Sequence, residues 1–183
     1  MIRSIMAAAL AGITLGAVTE AAAQVQSGAL VFAERIAPVL THPRCLNCHT
    51  VTGFPRQGDE RRRHDFLVAR GPRDIGAPAM PCATCHQASN QTASGIPGAP
   101  HWQLAPLSMG WEGLDAGALC RALKDPRKNG NRDLAKLVQH MTSDPLVLWG
   151  WAPGGDRAPV PIAQADFSRA LGEWANSGAA CPD

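Results

Sequence analysis

The chain contains Cys45-Leu46-Asn47-Cys48-His49 and Cys82-Ala83-Thr84-Cys85-His86, two copies of the pattern C-x-x-C-H. This pattern is typical of a c-type haem attachment site. Two thiols at this spacing reach the two vinyl groups on one edge of a porphyrin, and the adjoining histidine then lies beneath the iron. The two motifs therefore predict two covalently bound haem c groups, with His49 and His86 as the first axial ligands.

A histidine follows each motif at the same distance. His64 comes 15 residues after His49, and His101 comes 15 residues after His86. Histidine is a common ligand of haem iron, so we expect His64 and His101 to be the sixth ligands of the two irons. The alternative is that both side chains face solvent and that the equal spacing is accidental.

Three other side chains are candidates for the sixth position. Met109 ends a proline-rich loop of the kind that carries the axial methionine of cytochromes, and it is the main rival to His101 at the second iron. His42 precedes the first motif, and His140 lies near the end of a predicted helix. The choice affects function, because a His/Met pair raises the reduction potential relative to two histidines.

The N-terminus has the features of a secretory signal. Arg3 precedes an apolar run over residues 5–18, and Ala21-Ala22-Ala23 offers a cleavage site before Gln24. The run is shorter than the roughly 20 residues that span a bilayer. We therefore expect a signal peptide at 1–24, a single domain at 25–183, and export to the periplasm.

Export also bears on the cysteines. Paired C-x-x-C sequences bind zinc in many cytosolic proteins, but here each is followed directly by histidine in a chain with a predicted signal. In bacteria, c-type haem is attached in the periplasm, where disulfides also persist. The two remaining cysteines, Cys120 and Cys181, are predicted to form a disulfide that stabilises the fold by about 3–5 kcal/mol. Two buried free thiols are the alternative.

The charge is nearly balanced, with a formal net charge of +2. Four haem propionates would make the loaded protein close to neutral, which argues against a nucleic-acid partner. The exception is the segment 56–73, which contains six arginines and three acidic residues. Its side chains are expected either to dock an acidic redox partner or pair with propionates, or to form a solvated loop.

The periodicity predicts a mainly α domain with long irregular loops and about four helices. Apolar spacing and capping residues place these at 27–40, 115–124, about 131–142 and 163–177. The second and third are expected to form a helical hairpin. Glycine and proline break up 50–81 and 87–113, no alternating strand pattern is present, and 145–161 is expected to be a rigid aromatic loop.

Pro38 with Pro43 is expected to mark the end of the first helix. Asp115 is expected to cap the second helix, and Asn131 or Asp133 the third. Phe167, Leu171 and Trp174 are expected on one face of the fourth. Trp102 and Trp111 are expected to cover haem edges.

Four segments carry a family resemblance: 42–49, 98–102 (Gly-Ala-Pro-His-Trp), 111–114 (Trp-Glu-Gly-Leu) and 149–151 (Trp-Gly-Trp). They resemble dihaem c-type cytochromes, in particular small exported proteins labelled isoquinoline oxidoreductase subunits. The resemblance implies an electron-carrying subunit beside a molybdenum hydroxylase, since the chain has no feature of a molybdopterin or flavin domain.

Electron transfer is the leading functional hypothesis. The haems would take electrons from a periplasmic dehydrogenase and pass them to a respiratory acceptor. The alternative is a small haem peroxidase, or another haem enzyme, with one open iron and a nearby acid–base group. A haem-based sensor or structural subunit is a third possibility.

Overall fold

The computed structural model describes Glu20 and residues 23–183. The predicted signal segment, 1–24, therefore falls almost entirely outside the described residues. None of the described helices combines the length and the apolar character needed to cross a membrane.

The first helical stretch begins earlier than predicted. Residues 23–31 are helical, followed by a π-helical turn at Phe32–Ile36 and by helix α1 at Ala37–Leu40. Pro38 does not end the helix, contrary to one of the expected stop signals. The wide turn ahead of it accommodates a residue that has no amide hydrogen to donate, and the helix continues to Leu40.

Five further α-helices follow, giving six among the described residues where about four were expected. They are α2 (Pro43–Leu46), α3 (Ala116–Lys124), α4 (Leu134–Ser143), α5 (Pro145–Leu148) and α6 (Gln164–Asn176). The additions are α2 and α5, each four residues long, too short to produce a helical period in the sequence. Both begin with a proline after a capping residue, a start signal that was available.

The predicted capping residues explain where the longer helices begin. The carboxylate of Asp115 accepts from the Ala118 amide at 2.7 Å, and that of Asp133 accepts from the Lys136 amide at 2.8 Å. Asp133, rather than Asn131, is thus the cap of α4.

Helices α3 and α4 do not pack closely against each other as the expected hairpin. Instead, α4 packs mainly on α6, and α3 packs on the π-helical turn.

The core lies between the N-terminal helix and the C-terminal helices. Phe32 and Trp174 are fully buried, with ring centroids 5.2 Å apart. Phe167 and Leu171 lie on the same face of α6 as Trp174, as the spacing predicted. The fold is mainly helical, as expected: 46% helix and 6% strand.

The disulfide predicted between Cys120 and Cys181 is present. It joins the buried middle of α3 to the C-terminal tail, and the Trp174 indole donates to the Ala180 carbonyl at 2.9 Å beside it. The tail is therefore fixed to the core by a covalent bond and a hydrogen bond.

The stretch 47–113 carries the end of the first motif and the whole of the second, and it has little regular structure. Two antiparallel ribbons of two-residue strands pair β1 (Arg56–Gln57) with β2 (Arg62–Arg63) and β3 (Gly76–Ala77) with β4 (Met80–Pro81). Two residues are too few to alternate detectably in a sequence, which is why no strand was predicted.

One buried arginine holds this irregular stretch together. Arg70, 6% exposed, donates to the carbonyls of Thr52 at 3.2 Å and Thr50 at 3.1 Å, to the carbonyl of Ala105, and to the Asp74 carboxylate at 2.7 Å. Its hydrogen bonds join loop segments far apart in sequence. This network replaces a sheet or helix as the support for the two motifs.

Candidate haem-binding site

Both motifs adopt one helical turn with the same hydrogen bonds. The amide of the motif histidine donates to the carbonyl of the first cysteine at 2.9 Å, from His49 to Cys45 and from His86 to Cys82. The amide of the second cysteine donates to the same carbonyl. The first turn is formed by the end of α2, and the second by a 3-10 turn at Cys82–Thr84. Equal turns place thiols and imidazole in equivalent positions.

The two motif histidines are oriented by the same kind of partner. The Nδ1 atom of His49 lies 2.8 Å from the carbonyl oxygen of Met109, and Nδ1 of His86 lies 2.7 Å from that of Pro97. A carbonyl accepts a hydrogen bond only, so each Nδ1 carries the proton. The lone pair of each ring is then on Nε2, the arrangement that metal-binding histidines use.

Each motif histidine is also stacked on a tryptophan. The ring centroids of His49 and Trp111 are 3.4 Å apart with planes 10° from parallel, and those of His86 and Trp102 are 4.4 Å apart with planes 5° from parallel. Trp102 and Trp111 were expected to lie against haem edges. In the structure each tryptophan covers a face of the imidazole. The stacking does not cover the ring edge that carries Nε2.

Burial changes the protonation of the first motif. It lowers the pKa of His49 to about 4; the charges of His140 and Arg70 act in the same direction, and the hydrogen bond to Met109 opposes them. Burial likewise lowers the pKa of His86. Both imidazoles are therefore neutral at physiological pH, which is the form that binds a metal.

The cysteines of the two motifs are within electrostatic reach of each other. Burial raises the pKa of Cys45 to about 12, with Cys48 as the next cause. It raises the pKa of Cys48 to about 11, and there the next cause is Cys82 of the other motif. The four thiols are free. Cys45 and Cys48 are therefore uncharged at neutral pH, and Cys48 lies within electrostatic reach of Cys82.

An aromatic contact chain also links the two motifs. Trp102, stacked on the second motif histidine, meets the ring of Trp149 edge-on at 4.9 Å. The guanidinium carbon of Arg44 lies 5.9 Å from the centroid of that same ring. Arg44 directly precedes Cys45, so these side-chain contacts run from the second motif histidine to the residue before the first motif.

The structure brings His64 to the second motif rather than to the first. Its ring centroid lies 6.0 Å from that of His86, with an angle of 71° between the ring planes. Its Nδ1 lies 2.7 Å from the carbonyl oxygen of Asp65, which again leaves Nε2 with the lone pair. The equal offsets of His64 and His101 thus do not correspond to equal positions in the fold.

His101 lies in a cleft beside the second motif. It is exposed, has a left-handed backbone with φ of 59°, and lines a cleft of about 470 Å³ together with Ala83 and His86. Cys82 and Cys85 do not line this cleft, so His101 shares it with the motif histidine but not with the motif sulfurs.

The structure places each of the three other candidate ligands separately. Met109 belongs to the first motif, where its carbonyl receives the His49 hydrogen bond and its methyl group packs against Gly130. The Met109 carbonyl therefore lies on the Nδ1 side of the His49 ring, opposite the edge that carries Nε2. His42 caps α2, accepting from the Arg44 amide at 3.3 Å.

The third candidate, His140, has its Nδ1 3.2 Å from the carboxylate of Asp144 one helical turn later. A carboxylate at this position holds the tautomer with Nε2 free, as it does behind many metal-binding histidines. Sequence reasoning noted His140 but missed Asp144, although the spacing of four residues in a helix was the available signal.

The arginine-rich segment 56–73 is largely paired within the chain. Arg56 and Arg61 bind the carboxylate of Glu112, and Arg62 binds Asp65. The segment is thus neither a uniform basic patch nor a simple solvated loop. Nothing in the sequence indicated that Glu112 would form ion pairs with both Arg56 and Arg61.

Buried hydrogen-bond donors without a partner lie around the first motif. Among the described residues, they include Arg44 Nε, Arg61 Nε and Trp111 Nε1. Such groups are costly unless they find an acceptor, and propionates are suitable ones. Phe66 is 81% exposed and Leu67 is 70% exposed, two and three residues after His64, whose ring lies beside His86. Apolar side chains and buried donors together fit a haem.

Among residues 23–183, no three or more His, Cys, Asp or Glu side chains are gathered as a metal site. Haem iron needs no such group, since the porphyrin supplies four nitrogens and the protein one or two ligands.

Comparison of the chain with protein-family models, with curated proteins and with solved structures found no significant match. Function is therefore inferred from the residues and their geometry alone.

Proposed function

We propose that the protein is an exported dihaem c-type cytochrome that transfers electrons between proteins. One observation carries this proposal. Each of the two C-x-x-C-H motifs forms the same helical turn, with its histidine held at Nδ1 by a carbonyl and stacked on a tryptophan. A repeated C-x-x-C-H sequence without function has no reason to carry the same three supports twice.

The chain's own residues have separable roles. The four motif cysteines would each add S–H across a vinyl group, with sulfur bonding one carbon and hydrogen the other, so that nothing is oxidised. His49 and His86 would each present Nε2 to an iron. When bound, haem supplies one-electron iron chemistry. The carbonyls of Met109 and Pro97 raise the basicity of the imidazoles and fix their orientation.

Electron transfer is favoured over catalysis by the closeness of the two motifs. Cys82 lies close enough to Cys48 to help raise its pKa, and contacts through Trp102 and Trp149 run from His86 to Arg44, the residue before Cys45. Two closely spaced redox centres suit a relay. The donor class is a periplasmic dehydrogenase, in line with the resemblance to subunits associated with molybdenum hydroxylases, and the acceptor is respiratory.

The decisive experiment is mass spectrometry of protein exported from cells that can attach c-type haem. The proposal expects the mass of the processed chain plus two haems. It also expects exactly one haem to be lost in Cys45→Ala/Cys48→Ala and one in Cys82→Ala/Cys85→Ala. The matched control is Cys120→Ala/Cys181→Ala, which should keep both. A bare polypeptide mass, or bound zinc in place of iron, would overturn the proposal.

A functional assay separates the carrier from a haem enzyme. The reduced protein should pass electrons to an oxidised cytochrome or a quinone-pool acceptor without consuming peroxide. Rapid turnover of hydrogen peroxide with a reduced cytochrome as donor would instead establish a peroxidase.

A further inference from the structure

We infer that His64 and His86 are the two axial ligands of one iron, that of the second haem. The inference rests on the proposed function and assigns a ligand pair within it. It differs from the expectation based on spacing, in which His64 would serve the first haem and His101 the second.

The distance between the two rings is the first observation. A metal–imidazole bond is about 2 Å long, and a ring nitrogen lies about 1 Å from its ring centroid, so two imidazoles on opposite sides of one metal have centroids about 6 Å apart. The centroids of His64 and His86 are 6.0 Å apart. Both ring planes contain the axis through the metal, so the observed 71° between them is compatible with shared coordination.

The hydrogen bonds are the second observation. Nδ1 of His64 is held by the Asp65 carbonyl at 2.7 Å, and Nδ1 of His86 by the Pro97 carbonyl at 2.7 Å. Each ring therefore keeps its lone pair on Nε2, the nitrogen that a metal requires. Trp102 covers a face of His86 and leaves its edge open.

The surroundings of His64 are the third observation. Phe66 and Leu67 follow it with left-handed backbones, φ of 59° and 52°, and with large exposed side chains. Such conformations are costly for these residue types, and strained residues cluster where a ligand is held. An apolar porphyrin between His64 and His86 would have these two side chains as neighbours.

The pair also connects the two haem units. His64 lies in the loop after the first motif, and its ring lies 6.0 Å from that of His86 in the second. The loop between the motifs thus would be closed by an iron at both ends, since Cys48 and His49 hold the first haem. The second haem site would therefore depend on His64, which lies in the loop that follows the first motif.

The test compares His64→Ala with its matched control, His101→Ala, in protein shown by mass to carry two haems. Relative to wild type, His64→Ala should bind one additional equivalent of carbon monoxide per protein after reduction. It should also lose one bis-histidine signal in electron paramagnetic resonance spectra. Free imidazole should restore that signal, and His64→Met should introduce the methionine–iron charge-transfer band.

His101→Ala should leave the carbon monoxide stoichiometry and the spectra of wild type unchanged. The inference is overturned if His101→Ala opens an iron, or if His64→Ala leaves both irons as they were. These outcomes differ from failure of the proposed function, which is the absence of haem from the wild-type protein.

Discussion

The imidazole of His49 and the indole of Trp111 lie face to face, with centroids 3.4 Å apart and planes 10° from parallel. Trp111 is 6% exposed, so the stack is part of the packed interior. The contact restricts rotation of the His49 ring, and the hydrogen bond from Nδ1 to the Met109 carbonyl fixes its orientation.

Replacing Trp111 should therefore lower the stability of the protein. Trp111→Leu is expected to lower the free energy of unfolding by about 2–4 kcal/mol, because a buried indole is lost. Trp111→Phe should cost less, because it keeps an aromatic face. Urea unfolding followed by circular dichroism measures the effect. Equal stability of Trp111→Leu and wild type would show that the stack contributes nothing.

Arg70 should prove to be the main support of the irregular stretch. Arg70→Met removes donors from three carbonyls and from Asp74, and should lower the free energy of unfolding by about 2–4 kcal/mol. The control, Arg73→Met, changes an exposed arginine three residues away and should stay within about 0.5 kcal/mol of wild type. Similar losses for the two variants would contradict the network.

Glu112 should make stability depend on pH. Burial acts to raise the pKa of Glu112, but hydrogen bonds from Val51 and Thr50 and the charges of Arg61 and Arg56 outweigh it and lower the pKa. A lowered pKa in the folded state gives stability that is present above the unfolded value of 4.5 and is lost as the pH falls through the folded value.

We expect Glu112→Gln to be less stable than wild type by about 1–3 kcal/mol at pH 7, with the difference shrinking as the pH falls below 4.5. Thermal unfolding of both proteins across this pH range provides the measurement. Glu34→Gln, on an exposed site of the N-terminal helix, is the control and should stay near wild type. A difference that stayed constant down to low pH would rule out the carboxylate as its origin.

The disulfide should contribute to stability without serving the haems. Cys120→Ala/Cys181→Ala is expected to lose about 2–5 kcal/mol of unfolding free energy, because the closed loop spans 61 residues. Wild type unfolded in the presence of dithiothreitol should match the double variant, and both should retain two haems. A loss of haem in the variant would mean that the tail also shapes the motifs.

Much of the helical architecture was predictable because its signals are local. Asp115 and Asp133 cap the helices that their positions indicated, and the spacing of Phe167, Leu171 and Trp174 identified the buried face of α6. Cys120 and Cys181 were the two cysteines left outside the motifs. Each of these predictions needed only the identities of neighbouring residues, or the number of cysteines that the motifs leave over.

In the candidate site, too, features with a local sequence signal were predictable and the others were not. By itself, the sequence determined the two C-x-x-C-H motifs, since the chemistry depends on residue types at fixed short spacing. Only the tertiary structure decided what surrounds them: backbone carbonyls of Met109 and Pro97 carry no residue signature, and the stacking of Trp111 on His49 joins residues far apart in the chain. For the same reason, equal spacing along the chain gave no indication that the His64 ring lies 6.0 Å from that of His86, because an irregular loop has no repeat that converts sequence distance into position.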